Sequence, residues 1–153
     1  MIKDQKTLKV SAIKTGTVID HIPANNLFKV ITILGLDNIK KPITFGTNLE
    51  SGKLGYKGII KISDKFFVNE EINRIAMAAP QAQLNIIKDY KVVEKKVVQV
   101  PEMIEGIVRC VNPKCITNAE EVKQKFIVTN DGEVSLKCHY CEKITDQEHM
   151  AFI

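Results

Sequence analysis

The sequence contains no tryptophan, only 6% aromatic residues, and just eight glycines and five prolines among 153 residues. That scarcity excludes collagen-like chains, and 44% hydrophobic against 26% charged residues excludes an intrinsically disordered one. No apolar run approaches the roughly 20 residues that cross a bilayer, and the opening Met1-Ile2-Lys3-Asp4-Gln5-Lys6 lacks the apolar stretch of a secretory signal. A cytoplasmic protein with no membrane partner is expected. There is no Walker A loop and no GxGxxG, so no glycine-rich cradle for phosphate. There is no arguable Ser/His/Asp arrangement, and the acidic pairs Glu70-Glu71 and Glu120-Glu121 read as helix-start or surface pairs. The length allows one medium domain or two small ones and is short for an enzyme built around a deep cleft. These absences point to a chain that binds rather than catalyses.

What is present is unevenly distributed. Residues 1–100 carry 16 Lys+Arg against 9 Asp+Glu, a net +7, whereas residues 101–153 carry 6 against 9, a net −3. The overall +4 conceals two domains with opposite tasks, 1–100 and 101–153, the basic one suited to an anion.

Hydrophobic periodicity gives the first domain an α+β architecture. Leu8–Ile13 and Val18–Ile22 are extended, Pro23 suits a helix start, and Leu27, Val30, Ile31 and Leu34 form a helical stripe stopped by Gly35. Residues 42–48 and 56–63 read as a hairpin. Asn69 is the expected N-cap of a second helix whose stripe is Ile72, Ile75, Ala76 and Ala79, and residues 82–87 and 92–100 are strands. Strand, helix, strand, strand, helix, strand is the ferredoxin-like split βαβ sandwich, an antiparallel sheet with two helices on one face. Beyond Pro101 no helical period stands out. Short strands at 107–109, 125–129 and 134–137 suggest a small all-β domain, and about fifty residues need a staple to be stable.

The cysteines supply that staple. Cys110-x4-Cys115 and Cys138-x2-Cys141 are two close pairs, the pattern of a zinc ribbon holding one structural Zn²⁺ per chain. Two disulfides, four core thiols or a rubredoxin-like iron site are the alternatives, and a reducing cytosol favours zinc. His139 and His149 are expected to be exposed loop residues. A zinc ribbon can also serve a nucleic-acid-binding protein. Four thiolates with one Zn²⁺ add about −2 to an already acidic segment, which favours a protein partner and no nucleic acid.

In the basic domain, Lys57 and Lys61 share a strand face by period two, and Lys95 and Lys96 sit in the last strand, where lysine also blunts an edge. Asp20-His21 could serve ribose hydroxyls and phosphate, or could be a turn with a packed imidazole.

Several motifs then converge. Val10-Ser11-Ala12-Ile13-Lys14, Gly16-Thr17-Val18-Ile19-Asp20-His21-Ile22-Pro23-Ala24, Asn48-Leu49-x-Ser51-Gly52, Ala79-Pro80-Gln81-Ala82 with Asn85, and Tyr90-Lys91-Val92-Val93 together resemble the regulatory chains of aspartate carbamoyltransferase. So do Asn112-Pro113-x-Cys115-Ile116-Thr117 and Cys138-x-Tyr140-Cys141-Glu142-Lys143. The resemblance covers nearly the whole chain. It implies a non-catalytic subunit of de novo pyrimidine biosynthesis, with an allosteric domain that binds CTP as inhibitor and ATP as activator. It also implies a zinc domain touching catalytic chains, a regulatory-chain homodimer, and a holoenzyme of two catalytic trimers and three regulatory dimers. The nucleotide site it implies comprises Val10, Ala12, Ile13, Val18, Asp20, His21, Lys57, Lys61, Asn85, Ile87, Tyr90, Val92 and Lys95. Ser11, Lys114 and the tail 144–153 depart from the family pattern.

Overall fold

The computed structural model describes residues 12–52 and 55–153. The expected strand at Leu8–Ile13 and the site residue Val10 fall largely or wholly outside them. Alternation in β1 (Gly16–Pro23) sends Thr17 and Ile19, both fully buried, to one face and Val18 to the other. Pro23 ends this strand instead of opening a helix, and a 3-10 turn, Ala24–Asn26, intervenes before α1 (Leu27–Ile33). Leu27 and Val30 are the buried points of the expected stripe. The helix stops where foreseen, because Gly35 adopts a left-handed φ of 65° and donates its N–H to the Thr32 carbonyl at 3.1 Å.

The strands β2 (Ile43–Ser51) and β3 (Gly55–Ser63) form the expected hairpin. At α2 (Asn69–Arg74) the cap is displaced by one residue. Val68 occupies the N-cap, Asn69 is already helical, and the Glu71 carboxylate accepts the Val68 N–H at 3.2 Å. A 3-10 turn, Ile75–Met77, completes the buried stripe. The last two strands of this half, β4 (Gln83–Lys88) and β5 (Lys91–Val97), meet at Asp89 and Tyr90, whose φ values of 52° and 64° are those a two-residue I′ turn requires.

All pairings are antiparallel and the sheet order is β2-β3-β1-β4-β5, the split βαβ topology with β5 added at one edge. Ile19, Ile60, Ile62 and Leu84 pack with Leu27, Val30, Ile72 and Ile75 in one cluster, which places both helices on the same face. The opposite face carries a separate small cluster of Ile13, Val18 and Ile87, with Ile59 against it.

The second half contains β6 (Met103–Glu105), β7 (Val108–Arg109), α3 (Ile116–Ala119), β8 (Lys125–Asn130), β9 (Val134–Cys138), β10 (Ile144–Asp146) and β11 (Ala151–Phe152). They form a four-stranded sheet, β10-β9-β8-β6, and a two-stranded ribbon, β11-β7. The four-residue α3 is a helix that sequence periodicity could not announce, being barely one turn long. Gln147 Nε2 donates to the Met77 carbonyl at 3.0 Å, a polar tie that joins the halves beside a continuous apolar cluster, and the Gln99 N–H donates to Asn73 Oδ1 at 3.2 Å, fixing the end of the first half to α2. Among the described residues no helix is long and apolar enough to cross a membrane.

Candidate metal centre and ligand-binding face

The four cysteines come from four different chain positions. Cys110 follows β7, Cys115 is the residue before α3, Cys138 ends β9, and Cys141 lies in the turn before β10. Their Sγ atoms all lie within 4.8 Å of one another, with Cys110–Cys141 at 3.6 Å and Cys115–Cys138 at 3.7 Å. A disulfide brings sulfurs to about 2.05 Å, so these are not disulfides. Thiolates about 2.3 Å from a tetrahedral ion stand roughly 3.8 Å apart, close to what the two shortest separations give.

Local hydrogen bonds build the knuckles. The Cys115 N–H donates to the Asn112 carbonyl at 3.0 Å, the Lys114 N–H to Asn112 Oδ1 at 3.0 Å, and Asn118 Nδ2 to the Cys110 and Asn112 carbonyls at 3.0 and 2.8 Å. The second knuckle closes through Glu142 N–H to the Cys138 carbonyl at 3.0 Å, with Glu142 at a left-handed φ of 64°. Thr117 Oγ1 donates to Cys115 Sγ at 3.2 Å. Thr117 and Asn118 were not foreseen as structural supports; the Thr/Asn pair just past the first knuckle is the signal that could have found them.

Burial pushes the Cys110 thiol up to about 12, the nearby Cys141 and Cys138 sulfurs adding to it against one N–H bond from Asn112. Cys138 is raised for the same first reason. At Cys141 burial also pushes upward, but the Lys143 N–H, Asn112 and the neighbouring thiols outweigh it and bring the group down to about 7. Four crowded sulfurs in this setting are best satisfied by a thiophilic tetrahedral cation, so the donor set fits a structural metal. Neither histidine joins it. The His139 ring stacks edge-on against Tyr140 at 5.0 Å, and His149 Nδ1 sits 2.6 Å from the Asp146 carboxylate, both exposed.

The second constellation lies on the sheet face away from the helices. Val18 pairs across to Lys61 on one side and to Asn85 on the other, and Asn85 pairs with Lys95. The four side chains therefore form one row across β3, β1, β4 and β5. Lys61 is only 7% exposed. Its ammonium is lowered by burial, a shift the Asp20 carboxylate partly opposes. Lys96 points the other way, with Nζ 3.4 Å from Asn69 Oδ1. Lys95 therefore faces the row and Lys96 the helix.

Asp20 and His21 belong to a bulge in β1, not to a turn. His21 has φ 62°, and its N–H donates to Asp20 Oδ1 at 2.6 Å. The same oxygen takes the Lys57 ammonium at 2.8 Å and lies 3.3 Å from His21 Nδ1. Burial raises Asp20, but Lys57 and the His21 N–H prevail and hold it below the ordinary carboxylate range. The Tyr90 N–H bonds the Lys14 carbonyl at 2.9 Å, which ties the β4–β5 turn to the segment bearing exposed Ala12 and buried Ile13; Tyr90 itself and Val92 are exposed, Val92 opposite Ile87. Asn85 Oδ1 is buried without a hydrogen-bond partner, as a group awaiting a polar ligand would be.

The sign of the Asp20 shift gives a pH prediction. A carboxylate depressed in the folded state stabilises above its unfolded value and loses that contribution as pH falls through the folded value. Asp20→Asn should therefore destabilise the chain at neutral pH, and the gap to the parent protein should close as pH drops below about 3.8, the ordinary value. Urea melts of both proteins from neutral pH to below that value would show it; a constant gap throughout would contradict the assignment.

Known proteins resemble this chain along its whole length. Residues 8–99 match the family profile described as aspartate carbamoyltransferase regulatory chain, allosteric domain, and residues 102–151 the one described as aspartate carbamoyltransferase regulatory chain, metal binding domain. A protein named aspartate carbamoyltransferase regulatory chain from Bacteroides fragilis is 53% identical over 153 residues, covering 100% of both chains. Proteins of the same name from Porphyromonas gingivalis and Pyrococcus horikoshii are 54% identical over 139 residues and 52% over 145. They cover 91% and 94% of this chain, and 92% and 95% of their own lengths.

Proposed function

Because the chain belongs to the family of aspartate carbamoyltransferase regulatory chains, with an allosteric and a metal-binding domain, we propose that residues 1–100 bind CTP as inhibitor and ATP as activator while residues 101–153 hold zinc and dock on catalytic chains. The row Lys61, Val18, Asn85 and Lys95 beside the Ile13, Val18 and Ile87 patch supports nucleotide binding most directly. An apolar patch suits a base face, and backbone near Ile13 and Tyr90 reads its edge. Asp20 and Lys61 serve the ribose, with Lys57 orienting the Asp20 carboxylate through their 2.8 Å contact. Lys95 and His21 take the phosphates, and the unpartnered Asn85 Oδ1 gains a partner when nucleotide binds.

Cys110, Cys115, Cys138 and Cys141 hold the zinc. With four thiolates and no open position it supplies a structural cross-link, not hydrolytic chemistry. The subunit is non-catalytic, resides in the cytoplasm, pairs with a second copy, and joins two catalytic trimers through three such dimers. Nucleotide shifts the partner only by the difference in its affinity for two quaternary states, and by linkage substrate on the catalytic chains alters nucleotide affinity here.

Copurification from cells expressing this chain with its catalytic partner, followed by mass and metal analysis, tests the assembly. A complex with one zinc per regulatory chain and CTP-sensitive carbamoyltransferase activity is expected. A complex of the right mass whose activity ignores both CTP and ATP would overturn the allosteric assignment.

A further inference from the structure

Apart from the sulfur cluster and the nucleotide face, a cavity of about 480 Å³ opens where α2 meets β6. Its size falls in the range of small-molecule sites, about 300–1,000 Å³. Ile104, 4% exposed, and Met103, 46% exposed, give it an apolar lining. Glu70 and Arg74 stand on the α2 side, Glu105 and Lys123 on the other. Lys123 carries its aliphatic stem over Gly106, where an added Cβ would lie 2.9 Å from Cε, and its Nζ reaches Glu105 only at 4.0 Å. Among the described residues no ion pair within 4.0 Å engages Glu70 or Arg74.

The rim thus offers two cations and two carboxylates around an apolar floor. A polyanion such as a nucleotide would be repelled by Glu70 and Glu105, and a simple amine by Arg74 and Lys123. A zwitterion with an apolar body satisfies both sets. The guanidinium of Arg74 suits a carboxylate in particular, because its donors form a planar fork. We propose that this junction cavity binds a free α-amino acid with an apolar side chain, its carboxylate held by Arg74 and Lys123, its ammonium by Glu70 and Glu105, and its side chain on Met103 and Ile104. Asn73, whose Oδ1 holds the Gln99 N–H, also lines the cavity, so an occupant would touch both halves of the chain beside the segment that connects them.

The test is two-dimensional amide NMR of the full-length chain titrated separately with L-leucine, N-acetyl-L-leucine and L-leucinamide. Leucine at up to about 10 mM should shift amides around Arg74 and Glu105, and removal of either ligand charge should weaken binding at least about tenfold. Arg74→Ala, an exposed substitution, should weaken leucine by a similar factor and leave CTP binding unchanged, which separates this site from the nucleotide face. No shifts at that concentration, equal responses to leucine and its acetylated form, or undiminished binding by Arg74→Ala would overturn the proposal.

Discussion

Replacing Cys115 with serine is expected to strip the metal from the chain and release it from its catalytic partner. Cys115 is 1% exposed, sits at the start of α3, and accepts the Thr117 hydroxyl on its sulfur. The half it anchors contributes only a few large side chains, among them Ile104, Val108, Phe126, Val134 and Leu136, to the apolar cluster it shares with the first half. A unit of that size is marginal without a staple, whereas structural zinc contributes about 10–16 kcal/mol to the folding of comparable small modules. Serine supplies a harder and shorter donor at one corner of the tetrahedron. Rapid proteolysis within residues 101–153, loss of bound zinc and dissociation from the catalytic chains should occur together. CTP should still protect the N-terminal half, whose sheet does not depend on the knuckles. A variant that keeps one zinc and full assembly would refute the structural role.

The next largest effect is expected at Lys61. Lys61 is only 7% exposed on the face proposed to take nucleotide, so its charge is less screened than that of the exposed lysines there. Lys61→Ala should weaken CTP and ATP by roughly 10- to 100-fold, the loss of one or two charge-assisted hydrogen bonds. The zinc domain and its partner contact should be untouched. Lys96→Ala is the control, since it neighbours Lys95 in sequence but faces α2, and it should change affinity less than about twofold. Because burial lowers Lys61, affinity for these anions should begin to fall with rising pH before the ordinary lysine value of 10.5 is reached. Isothermal titration on the two variants decides the matter. Equal losses in both would mean only a diffuse positive field, and no loss at Lys61→Ala would remove it from the site.

Much of the site is legible without coordinates. The Cys110-x4-Cys115 and Cys138-x2-Cys141 spacing survives as a sulfur cluster, because each knuckle is local and its hydrogen bonds span only a few residues. The helix stripes survive for the same reason, Ile72, Ile75 and Ala76 being buried on one side of α2 and the turn after it. Where the cap was expected at Asn69, the Glu71 carboxylate reached one residue further back, and neighbouring side chains compete for such end positions within a fraction of a turn.

By itself the sequence determined the two electrostatically opposed halves, the order of strands and helices between Gly16 and Val97, and the identity of the four sulfurs. Each of these follows from composition or from contacts a few residues apart. Only the tertiary structure decided that Lys61, Val18, Asn85 and Lys95 share one row, with Lys96 turned to the helix side. It also decided that a bulge turns Asp20 and His21 toward Lys57. Strand register couples residues up to 77 positions apart, as Val18 and Lys95 are. It is set by closing the whole sheet over its helices, and a shift of one residue would exchange the face bearing Lys61 and Lys95 for the core face.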